Sequence, residues 1–250
     1  MRTYDHLFFD LDNTLWDFTA NSRIAMYQTL EHKEILSRID LFESFFIIYE
    51  QINTSLWKEY HSKKIDKKTL IIERFSRSLQ QFGISNLNWE EINRVYLEFM
   101  ALQTGLFTGT IETLRSLQAK GYQMHIITNG FSEVQHDKIK NCGLTGFFQK
   151  VFISEEIKTN KPHREIFEHA LKSTNAKKRK SMMIGDSWET DIQGAMEFGL
   201  DQIMFTNSGK NLVNESIIPM QLTINSTFSL LKPPLKTYFI EKIPDLLWIL

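Results

Sequence analysis

After Gly109 the chain alternates between helical and strand-like segments, and few architectures accept that rhythm. Thr110 to Lys120 has helical spacing and is closed by Gly121, and Gln123 to Ile127 reads as a strand ending at Thr128-Asn129-Gly130. A helix over Ser132 to Cys142 stops at Gly143, and Val151 to Ser154 reads as a short strand. Pro162 suits the first turn of a helix running to Thr174, and Ser181 to Ile184 is a strand that ends at Gly185-Asp186. Asp191 to Phe198 is helical up to Gly199, and Gln202 to Phe205 is one more strand. Strands separated by helices pair in parallel through right-handed crossovers, which covers both faces of the sheet. The fold class that follows is α/β, a doubly wound and mainly parallel sheet.

One strand precedes this region. Tyr4 to Phe9 is apolar and stops at Asp10-Leu11-Asp12-Asn13-Thr14, the profile of a buried strand whose carboxyl end presents polar groups. Open α/β sheets place ligands at such ends. Between about Asn21 and Met100 the periodicity is helical, clearest in Leu41, Phe45, Ile48, Tyr49, Ile52 and Leu56 and again in Ile92, Val95, Tyr96 and Phe99. Because this block separates the first strand from the rest of the sheet, it reads as an inserted all-helical cap domain. The expected division is a core of residues 1–16 and 104–231, a cap of 17–103 and a tail of 232–250, which a chain of 250 residues accommodates. Pro233-Pro234 breaks the chain at the start of the tail. Phe239, Ile243, Leu246, Leu247 and Trp248 are too apolar to stay in water, so they pack on their own core or on a second subunit.

Composition narrows the class of function. With 42% hydrophobic and 24% charged residues the chain is an ordinary folded globule. Its 29 basic and 30 acidic residues leave no basic field, which disfavours a nucleic-acid partner. Leu7, Phe8 and Phe9 are too short an apolar run for a signal peptide, and Glu43, Glu50, Lys58 and Glu59 interrupt the apolar stretch from Leu41 to Tyr60. No membrane association is expected, and the protein is expected as a monomer or homodimer. Cys142 is the only cysteine, so neither an intrachain disulfide nor a multi-cysteine metal site can form, which suits a cytoplasmic location. No pair of histidines has the spacing of a zinc site, and His136 reads as a helix-surface or substrate-rim residue.

Four polar clusters stand at the carboxyl ends of expected strands: Asp10 with Asp12, Thr128 with Asn129, Lys161, and Asp186 with Asp191. In a doubly wound sheet those ends converge. Singly, each has an ordinary structural explanation. Asp10 to Thr14 and Thr128 to Gly130 hold turn formers, a lysine before proline is a common solvated helix start, and Asp191 can cap a helix. Together and in this order they resemble the motif set of the haloacid dehalogenase superfamily, over about Tyr4 to Phe205. The resemblance implies a Rossmann-like core, a mobile cap and catalysis through an aspartyl-phosphate.

Matched residue by residue, the resemblance makes Asp10 the nucleophile. A carboxylate serves because the acyl-phosphate it forms is readily hydrolysed, which splits one hard step into two easier ones. Asp12 becomes the acid/base partner that protonates the leaving oxygen and then deprotonates the attacking water. Family members that displace halide typically lack this second aspartate, so Asp12 favours phosphate esters over haloacids. Thr128 and Asn129 match the segment whose hydroxyl and backbone N–H groups hold the phosphoryl oxygens, and Lys161 matches the lysine that neutralises nucleophile and phosphate. Asp10, Asp186 and the backbone carbonyl of Asp12 would hold magnesium, an oxygen-seeking cation that retains waters. Asp191 would orient Lys161 or a metal-bound water, and can cap a helix at the same time. Nothing in the sequence derives a role for Trp188.

The substrate is less constrained. The runs Phe8 to Asp17 and Ile126 to His136 resemble a bacterial subgroup of nucleoside 5′-monophosphate phosphatases, similar to pyrimidine nucleotidases acting on noncanonical nucleotides. A small phosphate monoester of the nucleotide kind is the expected partner. Phe45, Phe46, Trp57, Tyr60, Phe75 and Trp89 could offer a ring for a base, although helical spacing makes most of them cap core. The alternatives are a sugar phosphatase or phosphomutase of the same superfamily, then a haloacid dehalogenase or a non-catalytic binding module.

Overall fold

The computed structural model of the chain describes residues 3–206, 222–223 and 235–250. Pro233 and Pro234, read above as the opening of the tail, lie outside the described residues. In chain order the elements are β1 (His6–Phe9), α1 (Phe18–His32), α2 (Phe42–His61), α3 (Lys67–Gln80), α4 (Trp89–Leu102), α5 (Thr110–Ala119) and β2 (Gln123–Thr128). They continue with α6 (Ser132–Asn141), β3 (Phe148–Ile153), α7 (Ser154–Ile157), α8 (Arg164–Thr174), β4 (Ser181–Gly185), α9 (Gly194–Phe198), β5 (Asp201–Phe205), β6 (Leu222–Thr223), β7 (Lys236–Ile240) and α10 (Leu246–Ile249).

The chain divides into two compact units: Met1–Asp17 with Gly105–Ser132 and Cys142–Leu250, and Phe18–Thr104 with Glu133–Asn141. The first contains the sheet, in the order β3-β2-β1-β4-β5-β7-β6 among the described residues. Its pairings are parallel except for the short β6, which runs antiparallel to β7. β1 is central and buried along its whole length, as a strand with neighbours on both edges and both faces must be. On one face Phe8, Ile127 and Met183 pack with Ile166, Phe167, Ala170 and Leu171 of α8 and with Ala195 and Phe198 of α9. The alternate residues Leu7, Phe9, Ile126, Met182 and Ile184 point to the other face and are also buried.

Several local expectations need correction. The third strand is Phe148–Ile153, not Val151 to Ser154, because only its last two residues are fully buried and the apolar signal marks that end alone; Ser154 instead opens α7. Pro162 precedes α8, whose N-cap is His163, because the Lys161 peptide is claimed by another side chain. The segment after Asp186 is π-helical over Trp188–Gln193 before α9 begins at Gly194. The sheet also continues past Phe205, since β7 pairs with β5 in parallel.

The tail packs on its own core. Ile240, Ile243 and Leu246 are buried, Tyr122 Oη donates to the Leu250 carbonyl at 2.6 Å, and Thr237 Oγ1 donates to Gln202 Oε1 at 2.7 Å. At Gly109, with φ of 81°, a Cβ would meet Pro244 Cγ at 2.6 Å, so the glycine admits both the turn into α5 and the close approach of the tail.

The second unit is helical. Each long helix turns a stripe inward: Phe45, Phe46, Tyr49 and Leu56 from α2, Leu70, Phe75 and Leu79 from α3, and Ile92, Val95, Tyr96 and Met100 from α4. Asp66 and Asn88 cap α3 and α4 by accepting the N–H groups of Thr69 at 2.8 Å and Glu91 at 3.1 Å. At its centre the buried Arg74 lies over the rings of Phe75 and Tyr96, at 5.1 and 5.2 Å, and donates to Asn93 Oδ1. Most of α6 groups here as well, where Lys67 pairs with Glu133 at 2.7 Å and Asn141 Nδ2 donates to the Ala101 carbonyl at 2.7 Å. Among the described residues no helix is long and apolar enough to cross a membrane.

Two outcomes follow from this packing. Leu246→Ala removes a fully buried side chain and is expected to lower unfolding stability by about 2–4 kcal/mol, read from the urea midpoint, if the tail is part of the core. The second concerns His125, which stacks on Phe8 at 5.0 Å and lies with Nε2 3.2 Å from His6 Nδ1. Burial, then His6 and Lys150, depress its pKa to about 4. A depressed histidine contributes stability above the unfolded pKa of about 6.5 and loses it as pH falls toward the folded value. Unfolding free energy is therefore expected to drop by about 3 kcal/mol between pH 7 and pH 4 through this group, and His125→Phe should flatten that part of the slope.

Candidate active site

β1 and β4 run side by side, and Asp10 N donates to the Ile184 carbonyl at 2.8 Å, so the residues that follow each strand emerge together. The chain order of strands reverses between β1 and β4, and the crevice outside the carboxyl ends of such a pair is where doubly wound sheets bind ligands. Asp10 stands there, 7% exposed. Lys161 Nζ donates to Asp10 Oδ1 at 2.6 Å and lies 2.7 Å from Asp191 Oδ1. The Thr14 hydroxyl lies 3.2 Å from Asp10 Oδ2 and 3.4 Å from Asp186 Oδ1, between the two carboxylates. Asp12 is half-buried at the start of a tight turn in which the Leu11 carbonyl accepts from Leu15 N and Trp16 N, both at 3.0 Å. The turn needs a left-handed residue, and Asn13 supplies it with φ of 62°.

Asp191 reaches Lys161 because of the π-helical turn. Ser187 O accepts from both Asp191 N at 3.0 Å and Ile192 N at 3.2 Å, the widened register that carries Asp191 inward. Ser187, not Asp191, caps the turn, since its hydroxyl accepts from Thr190 N at 3.3 Å. Asp191 Oδ2 accepts from Ser187 N at 3.1 Å, which fixes the carboxylate from behind. A Cβ on Gly185 would overlap that carboxylate, so the position requires glycine for space.

The Asn129 side chain has an engagement that the motif did not announce. Its side chain accepts from Lys161 N and donates to Lys161 O, each at 2.9 Å, so it reads the peptide of the lysine like a neighbouring strand. On the other side Pro162 presses on α9, where a Cβ at Gly194 would meet Pro162 Cβ at 2.7 Å. Thr128 is buried, and its hydroxyl accepts from Gly130 N at 3.2 Å. The seven residues singled out in the sequence thus lie in one unit, with Asp10, Lys161, Asp186 and Asp191 in mutual reach and Asn129 holding Lys161 in place. Sequence reasoning gave no role to Thr14, Gly185, Ser187 or Gly194. Thr14 lies inside the first motif and could have been suspected, whereas the glycines matter through contacts that no spacing reveals.

The electrostatics are those of an acid-rich, water-poor site. Burial is the main cause that raises the Asp10 pKa well above the carboxylate range; Lys161 opposes it, and Asp191, Asp186 and Asp12 reinforce it. Burial works against the Lys161 ammonium, but Asp10 and Asp191 outweigh it and hold the pKa above the ordinary value. Carboxylate oxygens of Asp10, Asp186 and Asp191 lie within 4.8 Å of one another, with one ammonium among them. Three carboxylates against one cation leave negative charge in excess, and hard oxygen donors in excess charge are what magnesium takes. The donor set therefore fits that ion, with Asp191 already committed to Lys161 and Asp10 and Asp186 left to serve.

Residues 4–199 match the family model described as haloacid dehalogenase-like hydrolase, and the chain belongs to that family. Within it, the chain is 34% identical to the pyrimidine 5′-nucleotidase PynA of Streptococcus pneumoniae over 203 residues, 81% of this chain and 84% of that protein. It is 29% identical to the pyrimidine 5′-nucleotidase YjjG of Escherichia coli over 198 residues, 79% of this chain and 84% of that protein. The crystal structure of the HAD-hydrolase YfnB from Bacillus subtilis, bound to magnesium, matches with a TM-score of 0.82 at 26% identity, covering 99% of both chains. The Rossmann-like α/β expectation and the superfamily resemblance both hold.

The buried triad separates strong from weak ion pairs in one protein. Lys161→Met leaves Asp10 and Asp191 without their cation and is expected to cost about 3–5 kcal/mol of stability in chelator-treated protein, measured by urea unfolding. Lys172→Met breaks the exposed pair with Glu168 at 2.8 Å and should change stability by less than about 1 kcal/mol.

Proposed function

We propose that the protein is a magnesium-dependent phosphatase that hydrolyses phosphate monoesters through an aspartyl-phosphate on Asp10, with pyrimidine nucleoside 5′-monophosphates as its preferred substrates. The observation that carries this reading is the position of Asp10: a buried carboxylate at the end of the central strand, fixed by Lys161 at 2.6 Å and flanked by Asp186 and Asp191. A nucleophile held on one oxygen by a lysine keeps the other oriented, which is the positioning that phosphoryl transfer demands.

In the first step Asp10 forms a P–O bond as the bond to the leaving oxygen breaks, and Asp12 gives that oxygen a proton. In the second, Asp12 takes a proton from water as the water attacks phosphorus, and Asp10 and inorganic phosphate are released. Lys161, the Thr128 hydroxyl and the backbone N–H of Asn129 carry the charge of the transferring phosphoryl group. The Asn129 side chain meanwhile holds the backbone of Lys161. A magnesium ion held by Asp10, Asp186 and the Asp12 carbonyl would supply further neutralisation of that charge. Asp191 keeps Lys161 in place. The nucleotide preference is supported by the two relatives named pyrimidine 5′-nucleotidase, which this chain covers over most of their length.

Free phosphate is to be followed with a panel of nucleoside monophosphates and sugar phosphates in the presence of magnesium. Release from pyrimidine nucleotides is expected, and Asp10→Asn or chelator should lower it by at least about 1,000-fold. Substantial turnover by Asp10→Asn sinks the covalent scheme, and equal release from sugar phosphates sinks the nucleotide preference.

A further inference from the structure

Between Asp186 and Asp191 the chain displays an indole that its own unit only partly covers. Trp188 is 44% exposed, and among the described residues no ring contact or hydrogen bond involves its side chain. Trp16, in the loop after β1, is completely buried, so of two tryptophans in this part of the fold one is enclosed and the other keeps an exposed part. A tryptophan left 44% exposed forfeits much of the apolar gain that its large ring system could make. Isolated exposed aromatics are common, and Trp248, 89% exposed on the tail, is one. Trp188 differs in two respects.

The first is its place. It follows Asp186 by two residues, so its Cα lies within about 7 Å of the Asp186 Cα along the chain. The second is its rigidity. It opens the π-helical turn, whose two ends are fixed by Thr190 N on Ser187 Oγ at 3.3 Å and by Asp191 on Lys161 at 2.7 Å. π-helical turns concentrate at functional sites, and a turn so anchored presents its first residue at a set position.

We propose that Trp188 is a specificity-determining residue, whose indole face receives the planar base of a substrate whose phosphate sits at Asp10. The inference rests on the nucleotide reading above and deepens it. Stacking on an aromatic face tolerates any base but distinguishes a nucleotide from the same phosphate and sugar without a base. The residue acts on binding of the leaving group, so its loss should appear in KM.

The test compares a pyrimidine nucleoside 5′-monophosphate with ribose 5-phosphate in wild type, Trp188→Ala, Trp188→Phe and Trp248→Ala. Trp188→Ala is expected to raise KM for the nucleotide about 10-fold, with kcat and the ribose 5-phosphate constants within about twofold of wild type. Trp188→Phe should restore most of the loss, and Trp248→Ala should match wild type. Nucleotide titrated onto Asp10→Asn should quench tryptophan emission, and the quench should be absent from Asp10→Asn carrying Trp188→Phe. A wild type that prefers the nucleotide, with the preference kept in Trp188→Ala, overturns the role of Trp188 alone. A wild type without that preference overturns the nucleotide reading as well.

Discussion

A lysine ammonium buried between two carboxylates is the constraint on which the rest of the sheet unit depends. Lys161 is 1% exposed, and no charge sits so deep without its partners at hydrogen-bond distance. The partners come from the end of β1 and from the turn after β4, and the lysine from a loop before α8, so three distant segments must meet at one point. Much of the local irregularity serves that meeting. Asn129 grips the Lys161 peptide, Gly194 yields to Pro162, Gly185 yields to Asp191, and the wide turn swings Asp191 inward. The gain is chemical: a carboxylate largely withdrawn from water, yet facing a fixed cation.

The helical unit buries its own cation by other means. Arg74 lies over two aromatic rings and donates to an amide, in keeping with a planar, weakly hydrated guanidinium that stacks as well as it pairs. Lysine could not be held that way, and arginine could not place a compact charge between Asp10 and Asp191. Each unit thus chose the cation suited to what surrounds it.

Most of the architecture was legible because period and punctuation agree along the chain. The apolar run Leu7 to Phe9 followed by charges, the glycines after the helices, and the inserted helical block each have one simple physical reading. The site clusters were legible for the same reason, since strand ends converge in any doubly wound sheet. What escaped lies in contacts between segments. The β7 strand, Lys236–Ile240, is short, with a burial pattern that no alternation announces. The first residues of β3 are exposed, so apolarity marked only its end. Pro162 obeyed its motif and not its helix propensity, because the peptide before it is held by Asn129. The side-chain engagement of Asn129 and the space demanded at Gly185 and Gly194 depend on residues too distant in sequence for spacing to show.

The central place of β1 bears on how the chain reaches this fold. His6–Phe9 leaves the ribosome well before its two neighbours, which pair with it only from Gln123 and Ser181 onward. A strand built around Leu7, Phe8 and Phe9 with both edges open is a template for wrong pairing, and closing such long loops is slow. The helices α1 to α4 intervene with contacts among themselves, so they can collapse while β1 waits. The residue that starts the proposed chemistry, Asp10, is therefore translated before the strands that set it in place, and a nascent chain stalled before residue 181 holds that carboxylate with no site around it.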